Sequence, residues 1–538
     1  MSVLILVLFV GLFLHDALIV SGGDVNAAFP LIDLTSGAWM AVAVIVPKVL
    51  IAVFYHWLSR RALASLNQAH ETKSLRRLEK WTAKLRQLLV ISYISDLVVF
   101  GALNYLREVA LGDLILVDEL LIMLPPLAVT FCMWLSHYPV DLRLREATFM
   151  SRMERGLPVQ MWTRGQYLLA QFRHQWALMG IPLLLLSGWS ETVQYFFKDS
   201  LSQGMQASLL LGGSLTVFMF TPLIIRHIWD TIPLPAGEMR DRLVAMCQQH
   251  RVGIRELLLW RTYGGMINGA VMGFVRPLRY ILLTDALLET MPAKQVEAVM
   301  AHELAHVRKH HMFWMLIVAA CSMELLRILI VLGLQSLSSL MRVEPLSSLT
   351  SDTMRAIATH RDFVSLAPTI VSIIGWFYIF GWVSRRFERQ ADTFAAQHLA
   401  REWHEAHPTG IDHELASATT IAPLPPTTEM IAALERGESP QSAALPAQAS
   451  ASVLTHPGTF PRAATESMAG ALQSVADLNY IPTQRPSWRH GSIAWRQRYL
   501  RSLPGTPIEG TSIDHQVKRI KWGGVVIILI LVAIHMLM

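Results

Sequence analysis

Nine stretches of this chain are apolar over about the length that crosses a bilayer, and they leave too little polar sequence to dress a single soluble core. They fall at 2–20, 39–58, 88–106, 114–135, 176–197, 208–229, 312–334, 368–384 and 523–538. Only 16% of the 538 residues are charged and 53% are hydrophobic, where a soluble chain is about one quarter charged. The first stretch has no basic residues ahead of it and no small-residue cleavage site after it, so it is expected to stay as an anchor.

Charge then orients the spans. Between the second and third lie Arg60, Arg61, Lys73, Arg76, Arg77, Lys80, Lys84 and Arg86, whereas the preceding connection has Asp24 and Asp33 and no base. The excess of basic residues on cytoplasmic loops predicts that 60–86 faces the cytoplasm. Alternation then puts 141–175, 230–311 and the Ser384-Arg385-Arg386 end of the eighth stretch on that side too. A net charge of +6, clustered beside apolar segments, suits a bilayer and argues against nucleic acid as a partner. Cys132, Cys247 and Cys321 cannot build a disulfide framework and read as small buried apolar side chains. Asp96, Asp118, Glu119, Glu191 and Glu324 fall at membrane depth, where ionisable groups need partners. Glu324 has Arg327 three residues on for a helix-face pair, and Asp118 and Glu119 are close enough to a span end to be wet. Neither paired broken spans nor an alternating repeat suggests a transporter.

Residues 230–311 read as the first folded unit outside the membrane. An amphipathic helix is expected over 236–250, then strands at Leu257–Trp260, Met266–Phe274 and Arg279–Thr284. The second strand is broken by glycines that let another backbone approach. A turn or short helix opens at Asp285, and a longer helix from Lys294 carries His302-Glu303-Leu304-Ala305-His306. Two histidines four apart share a helix face and can reach one Zn²⁺, with the intervening glutamate beside its open position.

Three further runs give the motif its context: I-N-G-A-V-M-G-F from Ile267, I-L-L-T-D-A-L-L from Ile281 and S-R-R-F-E-R-Q-A-D from Ser384 to Asp392. With V-E-A-V-M-A-H-E-L-A-H from Val296, they resemble the integral-membrane zinc metalloendopeptidases that include HtpX and the Ste-type CAAX prenyl proteases. The resemblance covers about 230–400. It implies one Zn²⁺ per chain held by His302, His306 and Glu388, with Asp392, four residues on from Glu388, orienting a ligand histidine. Glu303 is expected to take a proton from the attacking water and deliver it to the leaving amine. The resemblance also implies a substrate-binding edge strand at Asn268 and Gly269, where the family usually has Asn-Ala; an extended peptide can pair with such an edge.

A transition-state stabiliser is sought in the C-terminal part, and two places compete. His490, followed by Gly491-Ser492-Ile493 and then Arg496, fits the family pattern better than His456 with Arg462, although Gly491 replaces proline. His490 is therefore the expected oxyanion donor and Arg496 its support in the substrate site. His310, four after His306, is assigned a role beside the ligands or at the membrane surface. Residues 403–465, rich in Ala, Ser, Thr and Pro, read as a flexible insertion.

The expected fold is mainly α: a polytopic α-helical membrane protein with a small α+β gluzincin-like metalloprotease unit. Its parts are 1–229, about six transmembrane helices; 230–402, the catalytic core with a transmembrane hairpin at 312–384; 403–465, the insertion; 466–522, the rest of the catalytic unit; and 523–538, a terminal span. The expected activity is zinc-dependent cleavage of peptides or membrane proteins at the bilayer, from the cytoplasmic side of a bacterial cytoplasmic membrane. A sensor-type signalling protease is disfavoured by small outer loops, and an idle scaffold by the presence of Glu303.

Overall fold

A computed structural model describes residues 3–20, 36–66, 71–107, 114–154, 161–262, 266–340, 351–408, 458–479 and 481–537. The protein is mainly α and polytopic, with one small sheet. Its N-terminal helices are α1 (Val3–Val20), α2 (Gly37–Leu66), α3 (Glu71–Val98), α4 (Val117–Glu154), α5 (Arg164–Gln171), α6 (Leu178–Phe197) and α7 (Gln203–Ile228). Among the described residues, three stretches are long and apolar enough to cross a membrane: Gly37–Leu66, Val117–Glu146 and Gln203–Ile228. Protein covers only 6% of the apolar window of α7, which leaves Leu211, Leu215, Phe218 and Phe220 facing outward. An apolar face of that extent needs lipid or another apolar surface against it.

Several expectations change in detail. The stretch 88–106 is not one helix: α3 stops at Val98, Gly101 takes the left-handed φ of 60° that glycine tolerates, and a short helix resumes at Ala102–Tyr105. Most of the basic stretch after the second apolar run is helical, with Arg60 and Arg61 in α2 and Arg76 to Arg86 in α3. Asp118 and Glu119 are not wet. Both are buried and meet Arg107, at 2.5 Å each, while Glu191 accepts the Leu116 backbone N–H. Cys132 is exposed rather than buried. Arg327, the expected partner of Glu324, lies outside the described side chains.

Asp96 has a partner that sequence order conceals. Lys48 of α2 reaches it at 2.5 Å and also donates to the Val44 carbonyl and Ser92 Oγ, with both charged side chains almost fully buried. Removing one member of a buried pair strands the other and costs about 3–5 kcal/mol. Lys48→Met is therefore expected to lower the thermal midpoint in detergent markedly, and Lys48→Met with Asp96→Leu to recover much of the loss. Equal midpoints for wild type and the single variant would remove the pair from the account.

The sheet-containing part begins with β1 (Thr231–Pro233), α8 (Glu238–Gln249), β2 (Glu256–Trp260), β3 (Gly269–Met272) and β4 (Tyr280–Thr284). The sheet order is β1-β2-β4-β3, parallel between β2 and β4 and antiparallel elsewhere, so β3 is an edge. Alternation splits the sheet. Leu257, Ile281 and Leu283 enter the main core, whereas Leu258, Trp260, Tyr280 and Leu282 pack with Leu223 and Trp229 on the other side.

Beyond the sheet come α9 (Asp285–Thr290), capped by the Thr284 side chain, α10 (Ala293–Arg308), α11 (His311–Leu340) and the long α12 (Ser351–Ala406). The C-terminal helices are α13 (Arg462–Leu478), α14 (Ile493–Leu500) and α15 (Ser512–Leu537). Fully buried alanines on both partners, Ala298, Ala301 and Ala305 of α10 and Ala391, Ala395 and Ala396 of α12, keep side chains small in the shared core and let these helices approach closely. The packed unit includes more of the expected insertion than its composition suggested. Helix α12 runs to Ala406, Phe460 is fully buried and α13 starts at Arg462. The remainder, with His456, lies outside the described residues.

Candidate metal centre

Helix α10 presents its apolar side, Val296, Met300 and Leu304, to the core, and its 3.6-residue period turns His302 and His306 together toward α12. Glu388 on α12 meets them. Its Oε2 lies 3.5 Å from His302 Nε2, its Oε1 lies 3.9 Å from His306 Nε2, and the two imidazole Nε2 atoms are 3.3 Å apart. One donor atom from each residue falls within 4.8 Å of the others. Asp392, one turn further along α12 and fully buried, stands 3.0 Å from His302 Nδ1, which turns Nε2 toward the shared point.

The C-terminal part closes this cluster. Arg496 of α14 forks onto Asp392 with Nε at 2.8 Å and Nη2 at 2.5 Å, and its Nη1 lies 3.5 Å from Glu388. His490 Nδ1 is 3.0 Å from Glu388 Oε1, and the imidazole is half exposed. Gly491 has φ 75°, a conformation that favours glycine and that proline cannot adopt, so the departure from the family pattern has a backbone cause. Ser492 then caps α14 by accepting the Trp495 N–H.

Electrostatics follow from this packing. Burial opposes protonation of His302, but Asp392 and Glu388 outweigh it and lift the imidazole to about 10. Burial would also raise Glu388, yet His302, His490 and Arg496 hold it well below the usual carboxylate range. Asp392 is likewise lowered, against its burial, chiefly by Arg496. Burial pushes His306 down to about 4, leaving a neutral imidazole. Glu303 rises to about 7, first through burial and further through Glu388, with His302 opposing. Once a metal displaces the His302 proton, two imidazoles and one ionised carboxylate would match the donor set of catalytic zinc sites, which leave a further position open.

Strand β3 runs beside Glu303. A side chain at Gly269 would come within 3.0 Å of Val299 Cγ1 and 3.4 Å of Glu303 Cγ, so glycine lets the edge lie close over α10. The backbone of Asn268 is anchored to Thr284, whose Oγ1 accepts its N–H at 3.0 Å and whose N–H donates to its carbonyl at 3.1 Å. Asn479, at the end of α13, takes both backbone groups of Ile267, accepting its N–H at 3.0 Å and donating to its carbonyl at 2.8 Å.

The partner of His306 is His311, and His310 is excluded from that place. His310 adopts φ 54°, which breaks the helix and turns the next residue inward. His311 Nδ1 lies 3.1 Å from His306 Nδ1, its Nε2 meets Gln390 Oε1 at 2.9 Å, and its ring stacks on Phe387. Gln390 in turn donates to Asp514 of α15 at 2.6 Å. His311→Ala is expected to weaken zinc binding about 10–100-fold, as for other groups that orient ligand histidines. Competition with a fluorescent chelator measures it, and an unchanged dissociation constant would leave His311 with packing alone.

Two helical histidines and a carboxylate from a second helix form a group that could hold a metal ion, with Glu303 beside an edge strand next to it. The model of peptidase family M48 matches residues 263–465 of the chain. That stretch contains His302, Glu303, His306, Glu388 and Asp392 and ends before His490 and Arg496. Among solved structures, the crystal structure of S. mikatae Ste24p is similar to the chain at 15% identity, covering 67% of this chain and 88% of that one, with a TM-score of 0.35. No curated protein matches it.

Proposed function

We propose that this protein is a zinc-dependent endopeptidase that cuts peptide bonds of membrane-associated substrates, with its site on the cytoplasmic side of a bacterial cytoplasmic membrane. The convergence of His302, His306 and Glu388 within 4.8 Å, with Glu303 beside them, carries this reading. The basic residues of 60–86 and Arg385-Arg386 support the orientation.

One zinc fits the three donors and, when bound, supplies Lewis-acid polarisation of the scissile carbonyl. The substrate pairs in extended form with β3, which places its backbone along Glu303. Glu303 takes the proton of the attacking water and hands it to the departing amine; its carboxyl, raised to about 7, serves both directions. His490, half exposed over Glu388, donates to the oxyanion. Arg496 fixes Asp392 and Glu388, so it holds the ligand helix in place while the substrate binds.

Metal removal tests the reading. Full-length protein in detergent, treated with a zinc chelator, is expected to stop cleaving an unfolded membrane-protein panel and to recover with stoichiometric zinc. Cleavage that persists at undetectable zinc would overturn it.

A further inference from the structure

On the side of the sheet away from α10 lies a cavity of about 680 Å³, walled by the sheet and by the N-terminal helices. Resting on the peptidase reading above, we infer that this cavity is a subsite for a bulky apolar side chain, aromatic by preference, of the peptide held on β3.

The strand geometry connects the two places. Side chains at paired positions of neighbouring strands point to the same side of a sheet. Gly269 lies over Val299 and Glu303, and Val271 pairs with Ile281 of the main core; Ala270 pairs with Leu282 on the opposite side. Asn268 and Ala270 both line the cavity. A peptide added along β3 therefore sends the residue opposite Gly269 toward Glu303 and its two neighbours toward the cavity.

The walls define what those neighbours are. Trp229 and Trp260 stack at 4.0 Å with rings nearly parallel, and His174 lies 5.6 Å from Trp260. Leu169 and Trp162, with Arg145 stacked on its ring, line the same cavity. Flat aromatic surfaces favour aromatic and large aliphatic groups. Arg145 pairs with Asp141 and Arg261 with Asp230, and Arg173 adds further positive charge to the lining, so a lysine or arginine of the substrate is disfavoured. Arg145 ends the apolar stretch of α4 and Trp229 follows α7 directly, a combination typical of the bilayer interface. The substrate position selected here is thus one that lies at that interface.

The test uses full-length Glu303→Gln protein loaded with zinc, in detergent, so that binding is read without turnover. Labelled alanine-glycine peptides carry a single phenylalanine moved along the sequence, and a matching set carries lysine. Phenylalanine is expected to tighten binding roughly tenfold or more at two positions separated by one residue, and lysine to weaken it there. Ala270→Leu, which fills the cavity from the sheet, and Leu169→Trp, which fills it from an exposed site on α5, should each collapse that preference. Indifference to phenylalanine position, or a preference that survives both variants, overturns the subsite. So does displacement of the effect by phosphatidylglycerol alone, which would make the cavity a lipid site. If the preference appears while wild type cleaves nothing, the peptidase reading fails and the subsite stands; cleavage without preference gives the reverse.

Discussion

Glu303→Gln is expected to lower the cleavage rate by about 10³-fold, within the range that a positioned proton acceptor contributes. Glutamine keeps the volume that packs beneath Gly269 and keeps an acceptor for the Val271 N–H that faces the carboxyl. What it loses is the capacity to take a proton. The thermal midpoint and the zinc content should therefore equal those of wild type, while the rate falls. Turnover against a fixed membrane-protein substrate, with zinc measured in the same sample, checks both halves. A variant that cleaves at the wild-type rate would take the base away from Glu303.

Glu388→Gln is expected to have the second large effect, on metal binding itself. The carboxylate is the one anionic donor of the three and also faces His490 and Arg496. Neutralising it removes a ligand charge and leaves the buried Arg496 to Asp392 alone. Groups that only orient a ligand are worth 10–100-fold in affinity, so loss of the donor should weaken zinc binding by more than about 100-fold. Glutamine is chosen over alanine so that no cavity opens between α10 and α12. Retention of wild-type affinity by this variant, measured by chelator competition, would assign the third position elsewhere.

The parts of this site that were legible in the sequence are those fixed by local periodicity. His302 and His306 follow from a four-residue spacing on one helix, and the short apolar runs at Leu257–Trp260 and Arg279–Thr284 mark the two central strands. Strand β1 escaped because three residues ending in Pro233 carry no period. The contribution of Glu388, Asp392, His490 and Arg496 rested on resemblance, since nothing local says that α12 and α14 return to α10. Helical phase continued past the helix end puts His310 on the ligand face; the left-handed backbone at His310 breaks that phase, and His311 takes the contact. Lys48–Asp96 and Arg107 with Asp118 and Glu119 show the same limit in the N-terminal helices. The acids were visible as costly residues, but burial and pairing depend on which helices meet.

The most direct measurement is proteolysis of an unfolded membrane protein by the full-length chain in detergent and heavy-oxygen water, with products mapped by mass spectrometry and zinc counted in the same preparation. The account predicts one zinc per chain, new internal carboxyl termini that each carry a single heavy oxygen, and their near disappearance in Glu303→Gln at unchanged zinc. A wild-type protein that binds no zinc, or product formation that is equal in the two proteins, would contradict it.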